Sequence, residues 1–203
     1  MTETLYRHQD GQNLAELRNY KLVQGQLFKL NGKNHYRGAA PYPVPPGKGD
    51  TWDELDVNNN WLGAWFWNGV YWLSTNLFEH ALVPIIAGIG AVNSNTSYPI
   101  DTDTHIFITR FSSAFYITAV STATNYYQFS LGFFTADNFY TQLAQLTTIG
   151  YGTSAGAWAR NSVNNIGFLS SDTAVSLTIK ELRPAGNINR VASHHAFYRK
   201  VRK

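Results

Sequence analysis

The sequence has no cysteine, a single methionine and few charged residues, which make up 14% of its 203 positions. The lack of cysteine excludes a disulfide framework, a thiolate zinc site and a cysteine nucleophile. No apolar run approaches the roughly 18 residues that a membrane-spanning helix requires. The first residues also lack the basic and then apolar pattern of a signal peptide. We therefore expect no membrane insertion.

Aromatic residues are abundant and make up 15% of the chain, within a hydrophobic fraction of 44%. This supply of apolar surface excludes intrinsic disorder. A coiled coil is excluded because it would be rich in Ala, Glu, Lys and Leu. The length suits one large domain or two small ones.

Charge is distributed unevenly along the chain. Lys and Arg outnumber the acids by seven to four in residues 1–50 and by five to none in residues 184–203. In residues 51–183 the acids lead by nine to four. A nucleic-acid-binding protein is expected to carry a basic face on its folded body. The acidic middle of this chain therefore predicts that nucleic acid is not a partner.

The C-terminal part has the pattern of an all-β domain. Val175, Leu177 and Ile179 alternate with polar residues, as expected for strands with one buried face. Short strands separated by polar turns predict a jelly-roll-like β-sandwich over residues 79–203. Residues 140–146 are also compatible with a helix. The predicted strands are Val83–Val92, Thr104–Phe111, Phe115–Ser121, Tyr126–Phe134, Phe139–Thr148, Ile166–Leu169, Ala174–Leu182 and Ile188–Val201.

Two further segments precede the predicted sandwich. Residues 1–38 are mixed and polar and predict a short helix over 13–22 and a hairpin around Asn31-Gly32, a pair suited to a two-residue turn. The Pro-rich stretch 39–50 favours an extended chain and marks a boundary. We therefore divide the chain at 38/39 and at 78/79, with a small β-hairpin module over 39–78.

The module over 39–78 holds most of the tryptophans. The run Trp65–Trp72, with Asn68-Gly69 at its centre, predicts a β-hairpin in which Trp67 faces Val70. A lone hairpin is marginally stable in water, so its apolar faces must be covered. We interpret the tryptophans as core or subunit-contact residues, with a platform for sugar rings as the alternative. These residues are Trp52, Trp61, Trp65, Trp67 and Trp72.

A Gly-x-Ser-x-Gly match at residues 152–156 is the first catalytic candidate, and Asp172, His194 and His195 follow it in the order Ser, Asp, His. A nucleophile elbow requires a strand before the serine and a helix after it. The residues after Gly156 show no helical pattern, so a turn is favoured. Asp53, Glu54 and Asp56 lie close in sequence, but glycoside cleavage needs carboxylates placed across a cleft. We predict that the protein is not an enzyme.

The sequence patterns that could indicate a ligand site are weak. Asp101, Asp103 and His105 share one side of an extended chain and could hold a cation, or form a polar turn. His194 and His195 point to opposite faces of a strand and should lie at the surface or face a partner. The Gly-x-Gly at residues 88–90 lacks the third glycine and the helix of a dinucleotide site. We expect no cofactor and no resident metal.

The segment Gly47–Glu54, GKGDTWDE, and the later segment Trp65–Ser74, WFWNGVYWLS, together resemble a small module of tail-fibre proteins of bacterial viruses. In that module a Pro-rich lead precedes Gly-Asp-Thr-Trp and aromatic strands around an Asn-Gly turn. The resemblance covers residues 39–78, and fibres of phages that infect cyanobacteria are among those it resembles.

The resemblance implies a structural virion protein located in the tail. It implies a homotrimer, attached through residues 1–38 to another tail or baseplate protein, whose C-terminal domain binds a host surface polysaccharide. Because turns carry function on β scaffolds, we expect receptor contacts at Tyr126, Tyr151 and Trp158. A cellular lectin-like module, or a capsid or baseplate decoration protein, remains an alternative.

Overall fold

The computed structural model describes residues 26–30, 32–87, 94–117, 120–151, 157–185 and 190–202. These residues form an all-β fold, which confirms the predicted class. The helix predicted over 13–22 lies outside the described residues. The strands are β1 (Gln26–Leu30), β2 (Lys33–Gly38), β3 (Thr51–Leu55), β4 (Trp61–Trp67), β5 (Trp72–Ser74), β6 (Phe78–Ala87), β7 (Ser94–Pro99), β8 (His105–Ile117), β9 (Tyr126–Thr135), β10 (Tyr140–Thr147), β11 (Ala157–Leu169), β12 (Ala174–Ala185) and β13 (Arg190–Val201).

The chain divides into two compact units, residues 1–72 and residues 73–203. The boundary predicted at 38/39 falls between β2 and β3, which pair with each other. The boundary predicted at 78/79 falls within β6. The Pro-rich segment 39–50 therefore does not separate domains, but connects two strands of one sheet.

In the first unit the strand order is β1-β2-β3-β4. The hairpin predicted around Asn31-Gly32 is confirmed by its pairing, since Leu30 lies opposite Lys33. β2 and β3 run parallel, whereas β3 and β4 run antiparallel. Parallel neighbours need a long crossover connection, and the segment 39–50 supplies it.

Asp50 fixes the end of this crossover. Its carboxylate is buried and accepts hydrogen bonds from the backbone and side chain of Asn34, at 3.0 and 2.9 Å, and from the Gly47 N–H, at 2.9 Å. Burial alone raises the pKa of Asp50, but the hydrogen bonds from Gly47, Asn34 and Tyr42 outweigh it and lower the pKa below its ordinary value. The carboxylate therefore remains charged and ties the crossover to β2.

Aromatic rings form the core of the first unit. The Trp72 ring lies 4.7 Å from Tyr42, 5.8 Å from Trp52 and 5.5 Å from Trp67, measured between ring centroids. Trp52 is buried, and its indole N–H donates to the Gly38 carbonyl at 2.9 Å. This one chain therefore covers much of its own tryptophan surface.

The turn between β4 and β5 differs from the prediction by one residue. The Asn68 N–H donates to the Tyr71 carbonyl at 3.1 Å, so Gly69 and Val70 are the central turn residues and Trp67 does not face Val70. The Asn68 side chain causes the shift, because its oxygen accepts the N–H groups of Val70 and Tyr71 at 2.8 and 2.7 Å. Gly69 takes the positive φ of 110° that this turn requires.

The second unit is a β-sandwich, as predicted. One sheet contains β6, β13, β8 and β11 in that order, and β5 also pairs with β13. The other sheet has the order β10-β9-β12-β7. The core between them is built from side chains at alternate strand positions, including Phe111, Phe115, Phe129, Leu131 and Leu177.

The segments predicted as strands in this unit are strands, but one strand of each sheet was missed wholly or in part. Residues 140–147 form a strand, which removes the helical alternative. The two strands predicted over 104–121 are one strand, β8, because Ser113 is buried and contacts the His194 ring at 2.8 Å instead of forming a break. β7 and most of β11 were not predicted, since most of their residues are polar or small.

Candidate functional site

The outer face of the β6-β13-β8-β11 sheet carries polar side chains in register. His195 on β13 lies opposite Ser112 on β8, and Ser112 lies opposite Ser162 on β11. One step along the same face, Ala114 lies between Ser193 and Arg160. Cross-strand neighbours on one face lie about 5 Å apart, so these side chains form one continuous surface.

A groove of about 660 Å³ runs over this surface. Its lining is polar, with guanidinium, imidazole, carboxylate, amide and hydroxyl groups beside two aromatic rings. Such a lining offers many hydrogen-bond donors and acceptors to a ligand. The groove is lined by Glu79, Arg110, Ser112, Ser113, Ala114, Tyr151, Arg160, Asn161, Ser162, Ser193, His195 and Phe197.

One end of the groove is held by a row of contacting charged and aromatic groups. The Arg110 guanidinium lies over the Phe197 ring, 4.1 Å from its centroid. The Phe197 ring stacks beside His195 at 6.2 Å, and His195 contacts the Glu79 carboxylate. Glu79 therefore faces His195, while Arg110 is supported by a ring and not by an acid.

The same face continues past the groove along β11. Trp158 lies two residues before Arg160 and opposite Tyr116, and its ring lies 5.6 Å from the Tyr116 ring. Trp158 is 67% exposed, so its indole face is open to a ligand. An exposed ring next to a guanidinium and a row of hydroxyls is the arrangement that a saccharide can use, because sugars both stack and hydrogen-bond.

The three receptor contacts expected from the sequence occupy different places. Trp158 lies on β11, within a strand and not in a turn. Tyr151 lines the groove and packs edge-on against Phe115 at 5.4 Å. Tyr126 is partly buried at the start of β9, in the other sheet. The structure therefore places Trp158 and Tyr151 near one face and Tyr126 apart from it.

Sequence reasoning predicted only that His195 lies at the surface or faces a partner, and it did not find Arg110, Arg160 and Phe197. A signal was present, because Trp158, Arg160 and Ser162 alternate with the more buried Ala159, Asn161 and Val163. Recognising it required knowing that β11 pairs with β8 and β8 with β13. Only the strand order shows that these residues share a face.

The tryptophans expected in the core or between subunits are exposed to different degrees. Trp52 is buried, whereas Trp65, Trp67 and Trp72 are partly buried. The Trp65 indole N–H donates to the buried Glu54 carboxylate at 2.9 Å. Trp61 is 60% exposed in this single chain.

The possible cation ligands do not converge. The Asp101 carboxylate accepts the Asp103 N–H at 3.1 Å in an exposed turn. His105 points instead to Ser171, whose N–H lies 3.1 Å from the ring nitrogen. Across the described residues, no group of three or more His, Cys, Asp or Glu side chains could hold a metal ion.

The residues of the possible hydrolase triad are also apart where the structure describes them. Ser154 lies outside the described residues. Asp172 lies 3.7 Å from His105, and His194 contacts Ser113. His194 is fully buried, so the expectation that it lies at the surface is wrong. It faces inward because β13 alternates, with Ala192 and Ala196 on the same buried side.

No helix in the described part of the chain is long and apolar enough to cross a membrane. No family model and no curated protein matches the sequence. Solved structures with similarity include a disulfide-linked pilus protein of Bacillus endospore appendages, at 12% identity and a TM-score of 0.27, covering 63% of this chain and 89% of that one.

Two viral proteins are similar over the same share of this chain, 63%. The VP2 subviral particle protein of infectious bursal disease virus has 11% identity, a TM-score of 0.31 and 33% of its own length covered. The coat protein of Tobacco streak virus has 14% identity, a TM-score of 0.27 and 88% of its own length covered.

Proposed function

We propose that this protein is a structural component of a virion, a short tail fibre whose C-terminal sandwich binds a glycan of the host-cell surface. The observation that carries the binding role is the polar groove on the outer face of the β6-β13-β8-β11 sheet. Serine hydroxyls and charged groups from neighbouring strands meet there beside Phe197, with Trp158 exposed on the same face. The virion assignment rests on the tail-fibre resemblance of residues 39–78.

The groove suits a saccharide better than a small apolar ligand. It is open along the sheet face, and its serines, Asn161 and two arginines present groups that pair with sugar hydroxyls. Such a surface binds each sugar weakly. A homotrimer would present three copies, so that the second and third contacts form at high effective concentration.

Trimer formation is part of the proposal. We assign Trp61 to the subunit contact, because most of its ring is left uncovered by its own chain. Residues 1–38 would attach the fibre to a tail or baseplate protein. The binding domain would then extend away from the particle.

Occlusion of the groove tests the binding role directly. Ser162→Trp places a large ring in the middle of the groove, and Gln145→Trp places the same ring on an exposed position of β10 in the other sheet. We expect the full-length Ser162→Trp protein to lose binding to host cells and to a glycan array, while Gln145→Trp binds like the wild type. Equal binding by both variants would exclude the groove.

Labelling of purified particles tests the virion role. An antibody to the chain, viewed by electron microscopy, should mark the tail. Labelling elsewhere on the particle would favour a capsid decoration protein.

A cellular lectin-like module is the second candidate. The observation in its favour is that Trp52, Trp67 and Trp72 already pack against one another within one chain. Native mass spectrometry separates the two, since the fibre requires three chains of 22.8 kDa and the lectin requires one or two.

A further inference from the structure

We infer that the groove selects acidic saccharides, with Trp158 stacking on a sugar ring and Arg160 binding its carboxylate. This inference rests on the proposed glycan-binding function and names the chemical class of the glycan. Trp158 and Arg160 are two residues apart on β11 and both are exposed on the outer face of the sheet. Residues so spaced lie about 6.6 Å apart along a strand, so both side chains can contact one saccharide.

The Trp158 ring is oriented for this role by its neighbours. Tyr116 lies directly opposite on β8, and the two rings contact each other at 5.6 Å with an angle of 56° between their planes. Tyr116 therefore supports one part of the indole, while two thirds of the Trp158 surface remains open. A supported ring loses little conformational freedom on binding, which favours stacking.

The charge of the groove favours an anion. Its ionisable lining consists of Arg110, Arg160, Glu79 and His195, so two arginines stand against one carboxylate. Among the described residues, the Glu79 carboxylate contacts the His195 imidazole and neither arginine. Neither arginine forms a salt bridge within the described part of the chain, and Arg110 lies over Phe197 instead. The groove therefore has an excess of positive charge while residues 51–183 as a whole are acidic.

Arginine is suited to a carboxylate because its planar guanidinium donates two parallel hydrogen bonds. Ser162 lies two residues after Arg160 on the same face of β11. Ser193 lies on β13, opposite Ala114 of β8, which in turn lies opposite Arg160. Hydroxyls at these positions can bind the sugar hydroxyls next to the carboxylate. A nucleic acid would require a longer basic path than two arginines provide.

Binding to paired glycans tests the inference. The probes are uronic-acid and sialic-acid oligosaccharides, each beside its carboxyl-reduced form, measured with the full-length protein. We expect the wild type to bind the acidic forms about tenfold or more tightly, the worth of a charge-assisted hydrogen-bond pair. Arg160→Gln should remove this preference, Arg160→Lys should retain part of it, and Trp158→Ala should weaken binding to both forms.

The controls separate the possible failures. Lys29→Gln removes one positive charge from an exposed strand of the first unit and should leave the preference unchanged. Melting curves of all variants should match the wild type, because the substituted residues are exposed. Equal binding of acidic and reduced glycans overturns the inference but leaves the proposed function intact.

Two other results overturn the inference in different ways. The first result is that the protein binds no glycan at all, which would exclude both the proposed function and this inference. The second result is that the protein binds single-stranded DNA as tightly as the acidic glycans, and that Arg160→Gln and Lys29→Gln lose this binding equally. It would identify a general polyanion-binding surface.

Discussion

Two side chains with buried polar atoms, Asp50 and Tyr140, show how single residues affect the stability of this fold. Asp50 gathers donors from β2, from the crossover and from Tyr42, whose hydroxyl lies 3.4 Å away. Tyr140 is different, since its buried hydroxyl has no hydrogen-bond partner among the described residues and the Lys180 ammonium lies over its ring at 3.6 Å. Their removal should therefore have opposite consequences.

Asp50→Asn should destabilise the first unit by about 3 kcal/mol, because an amide turns an N–H group toward buried donors. The folded pKa of Asp50 lies below its ordinary value of 3.8, so its contribution is complete above about pH 5 and is lost as the pH falls through the folded pKa. Urea unfolding at several pH values measures the difference from the wild type. That difference should shrink in acid.

The matched control is Asp56→Asn, because Asp56 also accepts hydrogen bonds, from Asn58 and Asn60, but in an exposed turn. Water replaces those bonds, so the loss of stability should be much smaller. Equal losses at both positions would show that burial of Asp50 is not the cause.

Tyr140→Phe should leave stability at neutral pH unchanged or slightly higher, because the hydroxyl it removes forms no bond in the described structure. Burial raises the pKa of Tyr140 to about 12. Its neutral form is therefore favoured by folding below pH 10 and this contribution is lost as the pH rises through 12. The pKa values of Tyr42 and Tyr198 are raised as well, so ultraviolet titration should show one late-titrating phenol fewer in the variant than in the wild type. Equal numbers of late phenols in the two proteins would contradict the assignment.

At the scale of elements, strand contacts depend on small residues as much as on large ones. Gly132 on β9 lies opposite Gln142 on β10, next to a register shift. A Cβ there would collide with the Thr141 carbonyl oxygen and lie 2.6 Å from the Tyr140 ring. The close approach of β9 and β10 therefore requires glycine.

Gly132→Ala should destabilise the sandwich by about 2 kcal/mol, because the collision involves backbone that cannot rotate away. Denaturant unfolding followed by tryptophan fluorescence and circular dichroism measures it. Gln145→Ala, on an exposed position of β10, should change stability by less than about 0.5 kcal/mol. An unchanged unfolding midpoint for Gly132→Ala would show that the two strands separate easily.

At the scale of the whole molecule, the open question is what covers the aromatic residues that the chain leaves exposed. Trp61 and Leu62 are 60% and 57% exposed on β4, whereas Trp52 is covered by its own unit. The exposure of Trp61 makes it the candidate contact, and the oligomeric state of a Trp61 variant tests this assignment.

Trp61→Glu should convert the proposed trimer to monomers without changing the fold of the chain, because the charge would be buried between subunits and not within one. Native mass spectrometry measures the assembly, and circular dichroism checks the fold. Val57→Glu, at a position 87% exposed, is the control and should remain trimeric. A wild-type monomer, or a Trp61→Glu trimer, would exclude this contact.

Local sequence chemistry predicted most strands of the sandwich and one hairpin turn. Alternation in Val175, Leu177 and Ile179 predicted β12, and Asn31-Gly32 predicted the first hairpin, because side-chain period and turn preference act between near neighbours. The same logic failed at Ser112-Ser113-Ala114, which reads as a break but continues β8. There, burial of Ser113 against His194 from β13 supplied a partner that no local pattern reveals.

The sequence by itself determined that this chain is all-β and that five of its six tryptophans lie in residues 51–78. Only the tertiary structure decided that Trp158 belongs with Arg160, Ser112 and His195. Those residues come from three strands far apart in the chain, and they share a face because of strand order and register. Order and register follow from how the whole core packs, a property that no short segment carries.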